Sequence, residues 1–298
     1  VGSEMCIRDR DVLIGRISRT YLIDNYLIVT DYNSPDKLIH LFDKNTFEHL
    51  ASSTYQGQGP DEITIIGHVG IDETNRRFFV SDHGKLKIFA YDLDSVLTTP
   101  EYQPSVKIDM KKKLFPDDYL YLNDTLCIAK IIEPIGNNDY KPSVARWNMA
   151  TGEINPMPYE YPDLKKVRFI YAASAEHQLY VQCYTQYDLM TICDFNGNLK
   201  CNIYGPKWVN EKTQTQHYSL GVEFCGDKIL ALYSGGDHRT DAYYPTKFLV
   251  FDLNGNYLKT LETGYMITDF CYDKENNRLI INLNDEIQFA YLDLEGII

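Results

Sequence analysis

The chain lacks any run of 18 apolar residues, so no segment of it is suited to cross a bilayer as a helix. It also lacks a basic excess: 29 Lys and Arg stand against 42 Asp and Glu, a net charge of −13. Non-specific binding to DNA, RNA or anionic lipid needs a basic face, so a nucleic-acid partner is excluded. Its one basic cluster, Lys111-Lys112-Lys113, is followed by Asp117 and Asp118 and reads as a solvated loop. Cysteine is present but never as a CxxC pair, and Cys193 and Cys201 are spaced wrongly for a zinc ribbon. Cys127, Cys183, Cys193, Cys201, Cys225 and Cys271 mostly fall within apolar strand patterns, which predicts buried, unpaired thiols. No stretch keeps helical apolar spacing for three turns. Nucleophile-elbow, HExxH, P-loop, dinucleotide and EF-hand motifs are all missing, so no catalytic residue is predicted.

What is present is tyrosine and repetition. The chain holds 24 Tyr against 2 Trp, and its 44% hydrophobic content is ample for a core. Tyrosine and β-branched residues favour strands. One unit recurs: a strand ending in a polar turn, then a second strand ending near Asp or Asn. Its first copy is Tyr26–Asp31 followed by Lys37–Asp43, and its second is Arg77–Asp82 followed by Leu86–Asp92. The closing residues Asp43, Asp92, Asn148, Asp194, Asp252 and Asp293 are separated by 49, 56, 46, 58 and 41 residues. A period near fifty built from short strands is that of a propeller blade. The fold class expected is therefore all-β, a six-bladed β-propeller with four-stranded antiparallel blades. The blades fall roughly at 16–56, 63–108, 115–160, 166–204, 216–262 and 266–298, within one domain over 11–298.

Residues 1–10, VGSEMCIRDR, read as a non-native leader, a translated sequencing-adapter artefact standing where the true N-terminus was. The last blade then lacks the strand that would close the ring. It is expected to be incomplete, with at best Val12–Gly15 pairing there.

At Gly57-Gln58-Gly59-Pro60-Asp61-Glu62 the sequence carries a G-x-G-P-x-E element, followed by Asn75, Phe79-Val80-Ser81-Asp82, Lys87-Ile88 and Tyr91-Asp92-Leu93. The stretch from Lys37 to Leu93 resembles TolB-like six-bladed propeller proteins of Bacteroidota, including their BF3164-like lipoproteins. That resemblance implies a propeller in the cell envelope (periplasm or outer membrane, lipid-anchored) and no established reaction. The family's signal and lipobox cysteine are missing from this chain.

Loops after second strands and after outer strands share one face of such a disc, and loops on a rigid scaffold commonly bind partners. On that face the candidate ligand-binding residues are Gln58, Asp61, Glu62, Asp82, His83, Tyr140, Asp237, His238, Arg239 and Tyr243. Gln58, Asp61 and Glu62 either build a tight turn or point into the central channel. Asp82 next to His83 and Asp237 next to His238 suggest turn formation first and acid–base or metal work second. His68 and His217 look isolated. The expected function is non-catalytic binding of an unidentified protein, peptide or glycan through the loop-rich face. No cofactor is predicted. The alternative is a metal-dependent hydrolase or lyase holding a divalent cation, which needs three acidic or His ligands converging from different blades.

Overall fold

The structure, a computed structural model, describes residues 12–136, 139–162 and 164–298. The 1–10 leader lies outside the described residues. Blade 1 is β1 (Ser18–Ile23), β2 (Tyr26–Asp31), β3 (Lys37–Asp43) and β4 (His49–Tyr55). Blade 2 is β5 (Ile66–Asp72), β6 (Arg77–Asp82), β7 (Lys87–Asp92) and β8 (Ser105–Asp109), with the short helix α1 (Leu93–Thr98) between its last two strands. Blade 3 is β9 (Phe115–Asn123), β10 (Leu126–Gly136), β11 (Asp139–Asn148) and β12 (Glu153–Pro156). Blade 4 is β13 (Phe169–Ser174), β14 (Leu179–Tyr184), β15 (Leu189–Asp194) and β16 (Leu199–Tyr204). Blade 5 is β17 (Thr215–Cys225), β18 (Lys228–Asp237), β19 (Lys247–Asp252) and β20 (Tyr257–Glu262). Blade 6 is β21 (Ile267–Asp273), β22 (Arg278–Leu283) and β23 (Phe289–Asp293), three strands among the described residues. The fold class expected from the repeat is the one observed, short last blade included.

Each second strand is packed on both faces by neighbouring blades, which is why Leu27-Ile28-Val29, Phe78-Phe79-Val80 and Leu279-Ile280-Ile281 read as continuous apolar runs. Between blades 1 and 2, Ile28, Leu41, Phe78, Val80 and Tyr91 share one cluster, with the Phe78 and Tyr91 rings stacked at 4.9 Å. The six described cysteines are free, and all but Cys201 are buried.

The recurrent Asp and Asn residues act on the outer hairpins. Asp43, Asn148, Asp194 and Asp252 each accept two backbone N–H groups of their own turn. Asp92 does the same job differently, capping α1 through Ser95 N at 2.8 Å. On the opposite face a second latch recurs. The residue after the second strand donates to the residue preceding the inner strand: Tyr32 to Ile17, His83 to Ile65, Thr185 to Arg168, His238 to Gln214 and Asn284 to Met266. These latches bring second-strand loops and blade-to-blade connections to one face.

One difference concerns the insertion at 133–140. β10 and β11 continue through it as a ladder, pairing Pro134 with Tyr140 and Gly136 with Asp139. It is a hairpin arm where a loop was expected. The 235–244 insertion begins as strand and ends in a single turn of 3-10 helix at Asp241–Tyr243.

Blade 6 joins blade 1 through side chains. Asp269 accepts from Thr20 N and Oγ1 at 2.7 and 2.8 Å, and Asn282 Nδ2 donates to Ser18 O and Oγ at 3.0 and 2.8 Å. Val12–Gly15 form no strand there. Gly15 O accepts from Gln288 Nε2 at 2.9 Å, and Ile14 packs on the cluster between these blades. Inner strands β1, β5, β9, β13, β17 and β21 contact one another in that order and back to β1, enclosing the axis.

Candidate functional site

The ring of inner strands encloses a channel cavity of about 470 Å³. Side chains from all six blades line it: Arg19 and Tyr21 on β1, His68 on β5, Asp117 and Asp118 on β9, Tyr171 on β13, Glu223 on β17 and Asp269 on β21. Lys130 reaches it from β10.

Most of these groups have partners. Lys130 Nζ lies 2.8 Å from Asp117, and although burial opposes the Asp117 charge, Lys130 holds the carboxyl below its ordinary range. His68 lies between two acceptors, with Nδ1 3.0 Å from Asp118 and Nε2 2.8 Å from Tyr119 O. Burial lowers its pKa against the pull of Asp118. Burial also pushes the Asp269 carboxyl up to about 6, with Arg19 and the Thr20 bonds pulling the other way. Glu223 is pushed up to about 8 by burial, then by the like charges of Asp269 and Asp118. The Glu223 carboxyl and the Arg19 guanidinium engage no hydrogen bond or ion pair among the described residues.

The residues singled out in the sequence lie elsewhere. Gln58, Asp61 and Glu62 do not line the channel, which corrects that reading of the motif. Glu62 Oε2 accepts from Gly59 N at 2.7 Å, and a Cβ on Gly57 would come within 2.0 Å of the same carboxylate. Both glycines are there to admit Glu62. Lys85 then clamps the loop by donating to the carbonyls of Gly59 and Glu62. Asp82 is fully buried and accepts from the backbone of Thr64, Ile65, Gly84 and Lys85. Its carboxylate is consumed in joining a turn to the incoming chain, as that of Asp31 is by Gly15 and Asn33.

His83 packs against Phe115 with Nε2 buried and unbonded, and burial lowers its pKa. Asp237 is held by Arg239 at 2.5 Å, while His238 Nδ1 meets Gln214 O at 2.9 Å. Tyr243 stacks on Tyr244 at 4.2 Å. Tyr140 lines a cavity of about 280 Å³ between blades 3 and 4, where Arg168 covers its ring at 3.7 Å.

Sequence reasoning missed Arg19, Glu223 and Asp269, and it noted Asp117 and Asp118 only as neighbours of the lysine cluster. His68, which looked isolated, is the Asp118 partner. His217 is no more isolated, lying 3.2 Å from Tyr233 OH and 3.7 Å from Asp188, almost wholly buried. The signal for the channel was present but weak: charged residues inside inner strands, at positions that no repeat shares.

Among the described residues, no three His, Cys, Asp or Glu side chains are grouped to hold a metal ion. The condition set for the hydrolase or lyase alternative is not met by Glu62, Asp82 and Asp237, each engaged in its own local contacts. The channel is equipped to bind and orient a ligand by charge and hydrogen bonding.

A family model described as a 6-bladed beta-propeller, DUF5128, matches residues 9–124. No curated protein matches the chain. Among solved structures, a DUF4221-family protein of Bacteroides vulgatus is similar at a TM-score of 0.61 and 12% identity, over 93% of this chain and 92% of that one. The extracellular domain of a putative one component system from B. thetaiotaomicron is similar at 0.57 and 11%. That match covers 93% of this chain but 33% of the other, so this chain spans about a third of that extracellular domain. The C-terminal WD40 domain of Sif2 is similar at 0.51 and 12%, over 92% of this chain and 65% of that one. At such identities the likeness is one of fold. The chain is a six-bladed β-propeller, similar in architecture to propellers from Bacteroides.

Proposed function

We propose that this propeller is a non-catalytic binding module of the bacterial cell envelope, engaging its ligand through the loop-rich face and the channel within the ring. One observation carries the reading. The channel collects ionisable groups from all six blades, leaves Arg19 and Glu223 without a hydrogen-bond or ion-pair partner, and arranges none into a metal-ligand set among the described residues. Such groups serve recognition, because they face the channel with their charge open to a ligand of complementary charge.

The envelope location draws support from the TolB-like and BF3164-like resemblance of Lys37–Leu93. The solved neighbour that is an extracellular domain of a Bacteroides protein supports it too. No helix among the described residues is long and apolar enough to cross a membrane. The anchor, on this reading, is a lipid.

The test is a thermal-shift screen of the chain against peptides, saccharides, amino acids and nucleotides. Saturable stabilisation by one class, lost on Arg19→Met or on shortening 235–243, is the expected result. Turnover of an ester, phosphate or glycoside substrate, abolished by substituting Asp118 or Asp269, would overturn the non-catalytic reading.

A further inference from the structure

The two partnerless groups of the channel carry opposite charge when both are ionised, and they flank one blade. Arg19 belongs to β1 and Glu223 to β17, and β21, which carries Asp269, touches both strands. Asp269 lies within electrostatic reach of each. A ligand seated here meets a guanidinium on one side and carboxyl groups on the other.

β17 is also bent at this level. Tyr218 pairs with Tyr233 and Val222 with Ala231, so the strand carries extra residues at Ser219–Gly221 that its partner lacks. Leu220 sits at the tip of this bulge with φ of 67°, a left-handed conformation unfavourable for leucine, and it lines the channel. Gly221 has no alternative, since a Cβ there would meet the Phe270 ring at 2.8 Å. Bulges that hold a side chain in a strained conformation beside a cavity re-aim that side chain for use. Here the bulge turns an apolar residue into a polar channel.

We propose that the channel binds a compact zwitterion, a free amino acid or dipeptide, with its carboxylate on Arg19, its ammonium on Glu223 and Asp269, and its aliphatic side chain against Leu220. The proposal rests on the channel being a binding site and names its ligand class. A neutral sugar would leave both charged groups without a counter-charge. A simple amine or a simple carboxylate would satisfy one end only. The cavity of about 470 Å³ lies in the range of small-molecule sites.

The test is calorimetric titration of the chain with leucine, glycine and alanyl-leucine, beside isoamylamine and 4-methylvalerate, which each keep one of leucine's two charges. Leucine or the dipeptide is expected to bind saturably, with both single-charge analogues at least tenfold weaker. Arg19→Met and Glu223→Gln should each weaken leucine at least tenfold while retaining a cooperative melt. The analogue series on the unaltered chain decides the matter if either variant fails to fold. No binding of any zwitterion at millimolar concentration overturns the proposal, as does leucine affinity unchanged in a folded Arg19→Met. Binding of glucose or galactose in place of the zwitterions overturns it while leaving the binding-module reading intact.

Discussion

The loop at 57–62 and the channel wall use the same residue types to opposite ends. In and beside the loop Glu62 caps Gly59, Lys85 closes the turn, and Asp82 gathers four backbone donors. In the channel Arg19 and Glu223 line the cavity with no hydrogen-bond or ion-pair partner among the described residues, and β17 bends to present Leu220. The loop has the more recognisable sequence and the more structural role. A motif is conspicuous when several of its residues act on each other locally, which is what a stable turn requires. A binding wall assembled from six strands needs no local pattern.

The sharpest way to break this contrast is at Asp82. Asp82→Ala strands four backbone N–H groups in a buried place and should destabilise the fold by about 3–5 kcal/mol, read by urea denaturation. Zwitterion affinity of the remaining folded protein should be unchanged. Retained stability would show that the turn does not depend on the carboxylate.

The packed interior of a blade and the channel wall should also titrate in opposite senses. His40, in the packed wall of blade 1, is lowered to about 4, mainly by burial. A histidine with a depressed folded pKa stabilises above its unfolded value of 6.5, and that stability is lost as pH falls through it. From His40 alone the loss should be about 2 kcal/mol at pH 5, and His40→Gln should flatten the acid limb of the stability profile.

Glu223 and Asp269 are raised, to about 8 and about 6, so their contribution is present at low pH and lost as pH rises through those values. Glu223→Gln should therefore stabilise the chain by about 1–3 kcal/mol at pH 8, after allowance for water in the channel, and leave it unchanged at pH 4. A channel carboxyl whose removal stabilises the fold while weakening binding is kept for the ligand. Equal melting temperatures at pH 8 would indicate that Glu223 is not desolvated.

The smallest effect is expected at the bulge. Leu220→Gly relieves the left-handed backbone and should stabilise by about 1 kcal/mol. It should also erase any preference for leucine over glycine. A destabilised variant would mean that Leu220 is packed and not strained.

Much of the architecture is legible in the amino-acid sequence. The second strands of blades 1, 2 and 6 fall at Tyr26–Asp31, Arg77–Asp82 and Arg278–Leu283, where their apolar runs end in polar turns. They are readable because both faces are buried, so every position carries the signal. The hairpin arm at 133–140 was not readable, because Pro134, Gly136 and Asp139 resemble loop residues although their backbones pair. Nor was the direction of Glu62 readable, since a G-x-G-P-x-E element fits either a turn or a channel wall.

Local chemistry was enough for the six-fold repeat and its Asp and Asn turn anchors, because strand runs and Asx turns depend on residues within a few positions of each other. Ring closure decided the rest. Thr20 meets Asp269 across 249 residues, and Arg19 and Glu223 acquire a shared meaning only when β1 and β17 stand on either side of β21. Blade packing sets that proximity, and no spacing along the chain encodes it.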